Sequence, residues 1–106
     1  MPGKLQYIRK TGSITHFFSD KRKICMVKTD NEKIEFYGKL SDIEADLSKV
    51  PFVRTHQSYL VNYYLIRSRT KIEITLVNGK KLPISEERQK YFNQQYSHLL
   101  GGEINV

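Results

Sequence analysis

Tryptophan is absent from this sequence, cysteine occurs once, and acidic residues are scarce: eleven Asp and Glu stand against eighteen Lys and Arg. A single thiol, Cys25, excludes an internal disulfide and any zinc site built on cysteines. It lies in "ICMV", where a small core residue is the plain reading and a reactive thiol the lesser one. No apolar run is long enough to cross a bilayer and no signal peptide is visible, so a cytoplasmic protein with no membrane role is expected. Also missing are a P-loop, a dinucleotide-binding glycine pattern and a serine nucleophile elbow. The three histidines, His16, His56 and His98, lack metal-ligand spacing. Carboxylates gather within residues 30–46, in a hairpin and a capped helix, where they read as solvated faces or caps. His56 and Ser58 do not form a dyad, because alternating strand positions do not set a base against a nucleophile. These absences argue against an enzyme, a metal site and a cofactor.

What is present fits one domain over residues 1–106 with a single modest core. Seven Tyr and five Phe lean toward strands, where aromatics fit a pleated, half-buried surface. The net charge of +7 speaks about partners, and polyanions come first. That charge is arranged in blocks. Residues 1–29 carry seven basic and one acidic residue, residues 30–48 two and six, and residues 49–81 seven and one. Two basic blocks flank an acidic one, so a fold can gather the basic blocks on one face.

Strand-like runs are "LQYIRKT", "KICMVKT", "KIEFYG", "FVRTH", "SYLVNYYLI", "KIEITLV" and "KKLPI". "DNE" at 30–32 reads as a turn, and "NG" at 78–79 predicts a hairpin with both residues at positive φ. Pro83 lacks an N–H and belongs at a sheet edge. In "LSDIEADLSKVP", Ser41 is a candidate N-cap with Glu44 completing a capping box, which predicts a short helix near 41–48. A second helix is predicted over 85–97, capped by Ser85, with Phe92, Tyr96, Leu99 and Leu100 on one face. The fold class is mainly β: an elongated set of small antiparallel sheets, one short central helix and a C-terminal helix.

Three segments carry a resemblance to a known family. "KIEFYGKLSDIE" is a strand running into a short helix. "FVRTHQSYLVN" sets Arg54, His56 and Gln57 just before a strand. "NGKKLPISEERQKYF" is a hairpin leading to a serine and a basic residue. In this order and spacing, over about residues 5–96, they resemble the LytTR family, the DNA-binding output domain of many bacterial response regulators in two-component systems. The likeness is greatest to quorum-sensing and virulence regulators. It implies sequence-specific binding of double-stranded DNA for transcription regulation, with loops of a β scaffold reading successive major grooves. It also implies a monomer alone and two copies on paired direct repeats.

Carried over by position, the resemblance makes Gln57 a base reader, since glutamine can pair bidentately with an adenine edge. Near the C-terminus the reader is Arg88, although it follows Ser85 one residue late, after Glu86 and Glu87. For the N-terminal reader two alignments are open, one giving His16 and the other Lys23; Arg9 stands where the family usually has an acid. Lys21 and Arg22 read as phosphate contacts, and Arg54, His56, Ser58 and Ser85 as positioning residues. Arg54 is expected to pair with an acid of the acidic block, such as Glu35. The competing readings are an RNA-binding β module, which would need Phe36 and Tyr64 exposed for base stacking, and a protein-binding sheet edge.

Overall fold

The computed structural model describes residues 11–47 and 49–99. Most of "LQYIRKT" lies outside them. Eight strands among the described residues form two antiparallel sheets. The first has the order β3-β2-β1-β5-β4, built from β1 (Ile14–Asp20), β2 (Lys23–Lys28), β3 (Lys33–Tyr37), β4 (Phe52–His56) and β5 (Tyr59–Asn62). The second has the order β6-β7-β8, from β6 (Ile66–Arg69), β7 (Glu73–Leu76) and β8 (Lys81–Pro83). Helix α1 (Leu40–Asp46) joins β3 to β4, and α2 (Glu86–Leu99) closes the described chain. The expected mainly β architecture with two helices is therefore the observed one.

Successive strand residues point to opposite faces, and here both faces of the first sheet are used. Phe17, Ile24 and Leu60 point toward α1 and pack with its Leu40, Ile43 and C-cap Leu47. Burying each such side chain contributes roughly 1.5–3 kcal/mol. Val53 and Val61 point the other way, into a second core with Tyr63, Ile74, Leu76, Leu82, Ile84 and Phe92 of the second sheet and α2. Strands β4 and β5 thus stand between two cores. Strand β1 is not among the strand-like runs of the sequence. Its Thr15 and His16 are buried along with its apolar residues, so it shows no apolar–polar alternation.

Several local expectations change. The run "SYLVNYYLI" is not one strand: a single 3-10 turn, Tyr63–Leu65, moves the chain from the first sheet to the second. Asn62 makes that switch, accepting the N–H of Tyr64 and donating to Ile14 O. Helix α1 begins one residue earlier than predicted. Lys39 is its N-cap with no side-chain cap bond, so Ser41 caps nothing, and Glu44 turns to Arg54 instead of completing a box. In the 78–79 turn only Gly79 has positive φ, at 86°. Val77, Asn78 and Gly79 form a three-residue loop: Leu76 O accepts Gly79 N–H, and Leu76 N–H reaches Lys80 O. The β2–β3 turn repeats this design with Asn31 at φ 70°, Lys28 in place of Leu76 and Glu32 in place of Lys80. These two tips touch, Asn78 Nδ2 donating to Asn31 Oδ1 at 3.1 Å. Pro83 lies on β8, an edge strand as expected. On α2, Phe92 is fully buried, while the side chains of Tyr96, Leu99 and Leu100 lie outside those described.

Candidate nucleic-acid interface

The strand registers set which residues share an end of the first sheet. Asp20 pairs with Lys23, Lys23 with Tyr37, Phe18 with Tyr59, and His56 with Tyr59. The β1–β2 turn (Lys21, Arg22), the end of β3 and the β4–β5 turn (Gln57, Ser58) therefore lie at one end, away from the Asn31–Asn78 contact. Backbone bonds tie them: Ser19 N–H to Ser58 O at 3.0 Å and Gly38 N–H to Arg22 O at 3.1 Å. Together they border an open cleft of about 850 Å³ lined by Lys21, Arg22, Lys39, Tyr37, Ser41, Arg54, Gln57 and Ser58, with no acidic residue among its lining. Residues from both basic blocks meet here, with Lys39 added from the acidic one.

The β1–β2 turn has two residues, and Lys21 takes φ 61°. A side chain there costs roughly 1–2 kcal/mol of backbone strain, which glycine would avoid. The turn instead presents Lys21 and Arg22 exposed to solvent. Lys23 also is exposed, with its ammonium 5.8 Å from the centre of the Tyr37 ring. Tyr37 is 71% exposed. The sequence motifs assign it no individual role, yet simple alternation along "KIEFY" with Phe36 inward would have turned it outward.

A network of bonds shapes the β4–β5 turn. A register shift between Arg54 and His56 leaves Thr55 as an extra residue, a bulge that re-aims the residues after it. The Arg54 guanidinium then donates three ways: Nε to His56 O at 3.0 Å, one terminal nitrogen to Gln57 O at 2.6 Å, and the other to Glu44 Oε1 at 2.7 Å. The partner of Arg54 is thus Glu44 on α1 and not Glu35, which sits on the far edge strand β3 opposite Cys25. His56 Nδ1 accepts the Ser58 N–H at 3.0 Å, so its ring proton sits on Nε2. Its ring packs against Tyr59 with 5.4 Å between centroids. Gln57 is left exposed at the tip, held by its backbone.

Ser85 does not line the cleft, but its N–H bonds to Thr55 O at 2.8 Å, fastening the start of α2 to the bulge. Arg88 is half-buried in the first turn of α2 and lies outside the cleft lining. His16 is a correction. It is 1% exposed within β1, so it cannot reach a base edge, and Lys23 remains as the N-terminal candidate. Burial, with Lys80 and Lys33 nearby, lowers its pKa to about 4. Cys25 is a buried core residue whose thiol pKa is raised by desolvation and by Glu35. Of the proposed stacking pair, Phe36 packs on the first core, whereas Tyr64 is 72% exposed but follows β5 at the end opposite Tyr37. No group of three metal-ligating side chains occurs among the described residues, and none of their helices is long and apolar enough to cross a membrane.

Comparison with known proteins bears on the fold and the family. The chain is 30% identical over 76 residues to the transcriptional regulatory protein NatR of Bacillus subtilis, covering 66% of this chain and 33% of that protein. It is 28% identical over 71 residues to the sensory transduction protein LytT of Enterococcus faecalis, covering 62% and 29%. The chain therefore spans about a third of the length of these curated relatives. Its fold matches the solved LytTr DNA-binding domain of a Bacillus cereus response regulator with a TM-score of 0.71 at 21% identity, covering 79% of this chain and 81% of that one. The family profile described as LytTr DNA-binding domain matches residues 6–97, and this chain belongs to that family.

Proposed function

We propose that this domain binds double-stranded DNA at specific sequences to regulate transcription, with the end of the sheet that carries the Lys21–Arg22 and Gln57–Ser58 turns facing the duplex. The observation that supports this most is the convergence of Lys21, Arg22, Lys39 and Gln57, from three separate stretches of chain, on one cleft without an acidic lining residue. In this reading Gln57 reads a base from a turn whose backbone is already fixed, which limits the entropy lost on binding. Lys21 and Arg22 meet phosphates, and Lys23 reads or positions beside them. Arg54, His56, Ser58 and Ser85 hold the turns. Arg88 reads from the first turn of α2. The longest extent of the molecule, 44 Å, exceeds one helical repeat of roughly 34 Å. That is room for loops to meet successive major grooves. A monomer alone, with two copies on paired direct repeats, completes the proposal.

RNA stacking is the second reading, since Tyr37 and Tyr64 are both exposed. Their places at opposite ends of the sheet disfavour one continuous platform. Selection of bound duplexes from a random pool tests the first reading, followed by competition with single-stranded RNA. Recovery of no preferred sequence, or tighter binding of RNA, overturns it.

A further inference from the structure

We propose that Glu44, on helix α1, is a positioning residue for sequence discrimination, holding the Gln57 turn in reading shape through Arg54. This rests on the DNA-binding reading of the same end.

The Arg54 guanidinium is a planar cation with a rigid fork of donors. Two of its bonds go to the carbonyls of His56 and Gln57, the peptides that define the turn. A third goes to Glu44 Oε1. The Arg54 side chain is only 10% exposed, so its charge needs a partner close by. Glu44 supplies one from a fixed position, because α1 is fastened to the sheet by Leu40, Ile43 and Leu47. Without that carboxylate, Arg54 faces Lys21, Arg22 and Lys39 across one cleft. Like charges then favour its swinging out toward a phosphate. The two carbonyls would lose their donor, and the turn its shape. Glu44 thus keeps a cation away from the sequence-blind task of phosphate binding and commits it to the turn. Its own negative charge beside the cleft also holds down affinity for any duplex.

The test begins with the unaltered domain, measuring affinity for its selected duplex and a scrambled duplex at several salt concentrations, well below the melting temperature. No difference between the two duplexes would defeat the DNA-reading proposal itself. Given a difference, Glu44→Ala should reduce the cognate-to-scrambled affinity ratio about tenfold, the order of coupling seen for linked residues. Scrambled-duplex affinity should hold or rise. Glu44→Gln, which retains an acceptor for Arg54 but not the charge, should lose less. In an Arg54→Ala background, Glu44→Ala should leave the ratio where Arg54→Ala alone put it. A merely structural role would shift the melting temperature and leave the ratio unchanged; that result overturns the proposal. Equal changes on both duplexes, or full additivity in the double variant, also overturn it.

Discussion

Lowering the pH from 7 to 5 should weaken the fold through His16. The ring is 1% exposed, and its Nδ1 lies 2.9 Å from Thr15 Oγ1. The Thr15 hydroxyl donates its only proton to Val27 O at 3.0 Å, so His16 Nδ1–H must be the donor and Nε2 is bare. Charging the ring would add a proton at Nε2 in an interior facing Lys80 and Lys33, and its pKa falls from 6.5 to about 4. This is a base whose folded pKa is depressed. Between the two values the unfolded chain binds the proton and the folded chain does not. Stability is therefore intact above the unfolded value and is lost as pH falls through the window toward about 4. Linkage gives a loss of about 2 kcal/mol between pH 7 and pH 5. For a domain of this size that lowers the melting temperature by on the order of 10 °C. Thermal melts at the two pH values measure it, and an NMR titration of the His16 ring checks the cause directly. A His16 ring that titrates near 6.5 in the folded protein would refute the reasoning, even if the melts moved for other reasons.

Gln57→Ala should fold normally, because the exposed side chain can be removed while Arg54 still holds the Gln57 carbonyl. A bidentate base contact discriminates by roughly 1–3 kcal/mol, so paired titrations should show about a tenfold or greater loss on the selected duplex and none on scrambled DNA. Equal losses on both would make Gln57 a backbone contact. Single replacement of Lys21 or Arg22 by Ala should weaken all duplexes alike and reduce the salt slope by about one counterion each; two unchanged slopes would take this turn out of the interface. Gly79→Ala places its Cβ in open space but at φ +86°, so denaturant melts should show a loss of about 1 kcal/mol from backbone strain alone. DNA affinity should hold, because this turn lies at the other end of the sheet, and an unchanged midpoint would mean the loop does not need the left-handed conformation.

The fold class and most of the element list are legible in the chain alone. Turn chemistry at "DNE" and "NG" and the order of three motifs were local signals, readable without a partner in space. The middle motif set Gln57 just before a strand; that Gln57 and the Lys21–Arg22 turn are exposed tips of hairpins is read from the fold. The rest depends on packing in three dimensions. "THFF" in β1 has polar residues buried beside apolar ones because that strand is central to its sheet, with neighbours on both sides, and no alternation marks it. His16 looked available in the chain and is enclosed in the fold. The partner of Arg54 turned on which acidic element packs behind β4, and helix α1 does so while β3 is at the opposite edge. Even the joining of two basic blocks in one cleft depended on β1 pairing with β5, a contact between residues some forty positions apart. Local sequence constrains dihedrals and faces; which faces meet is set by the burial of the whole set of apolar residues at once, and the candidate site is made where they meet.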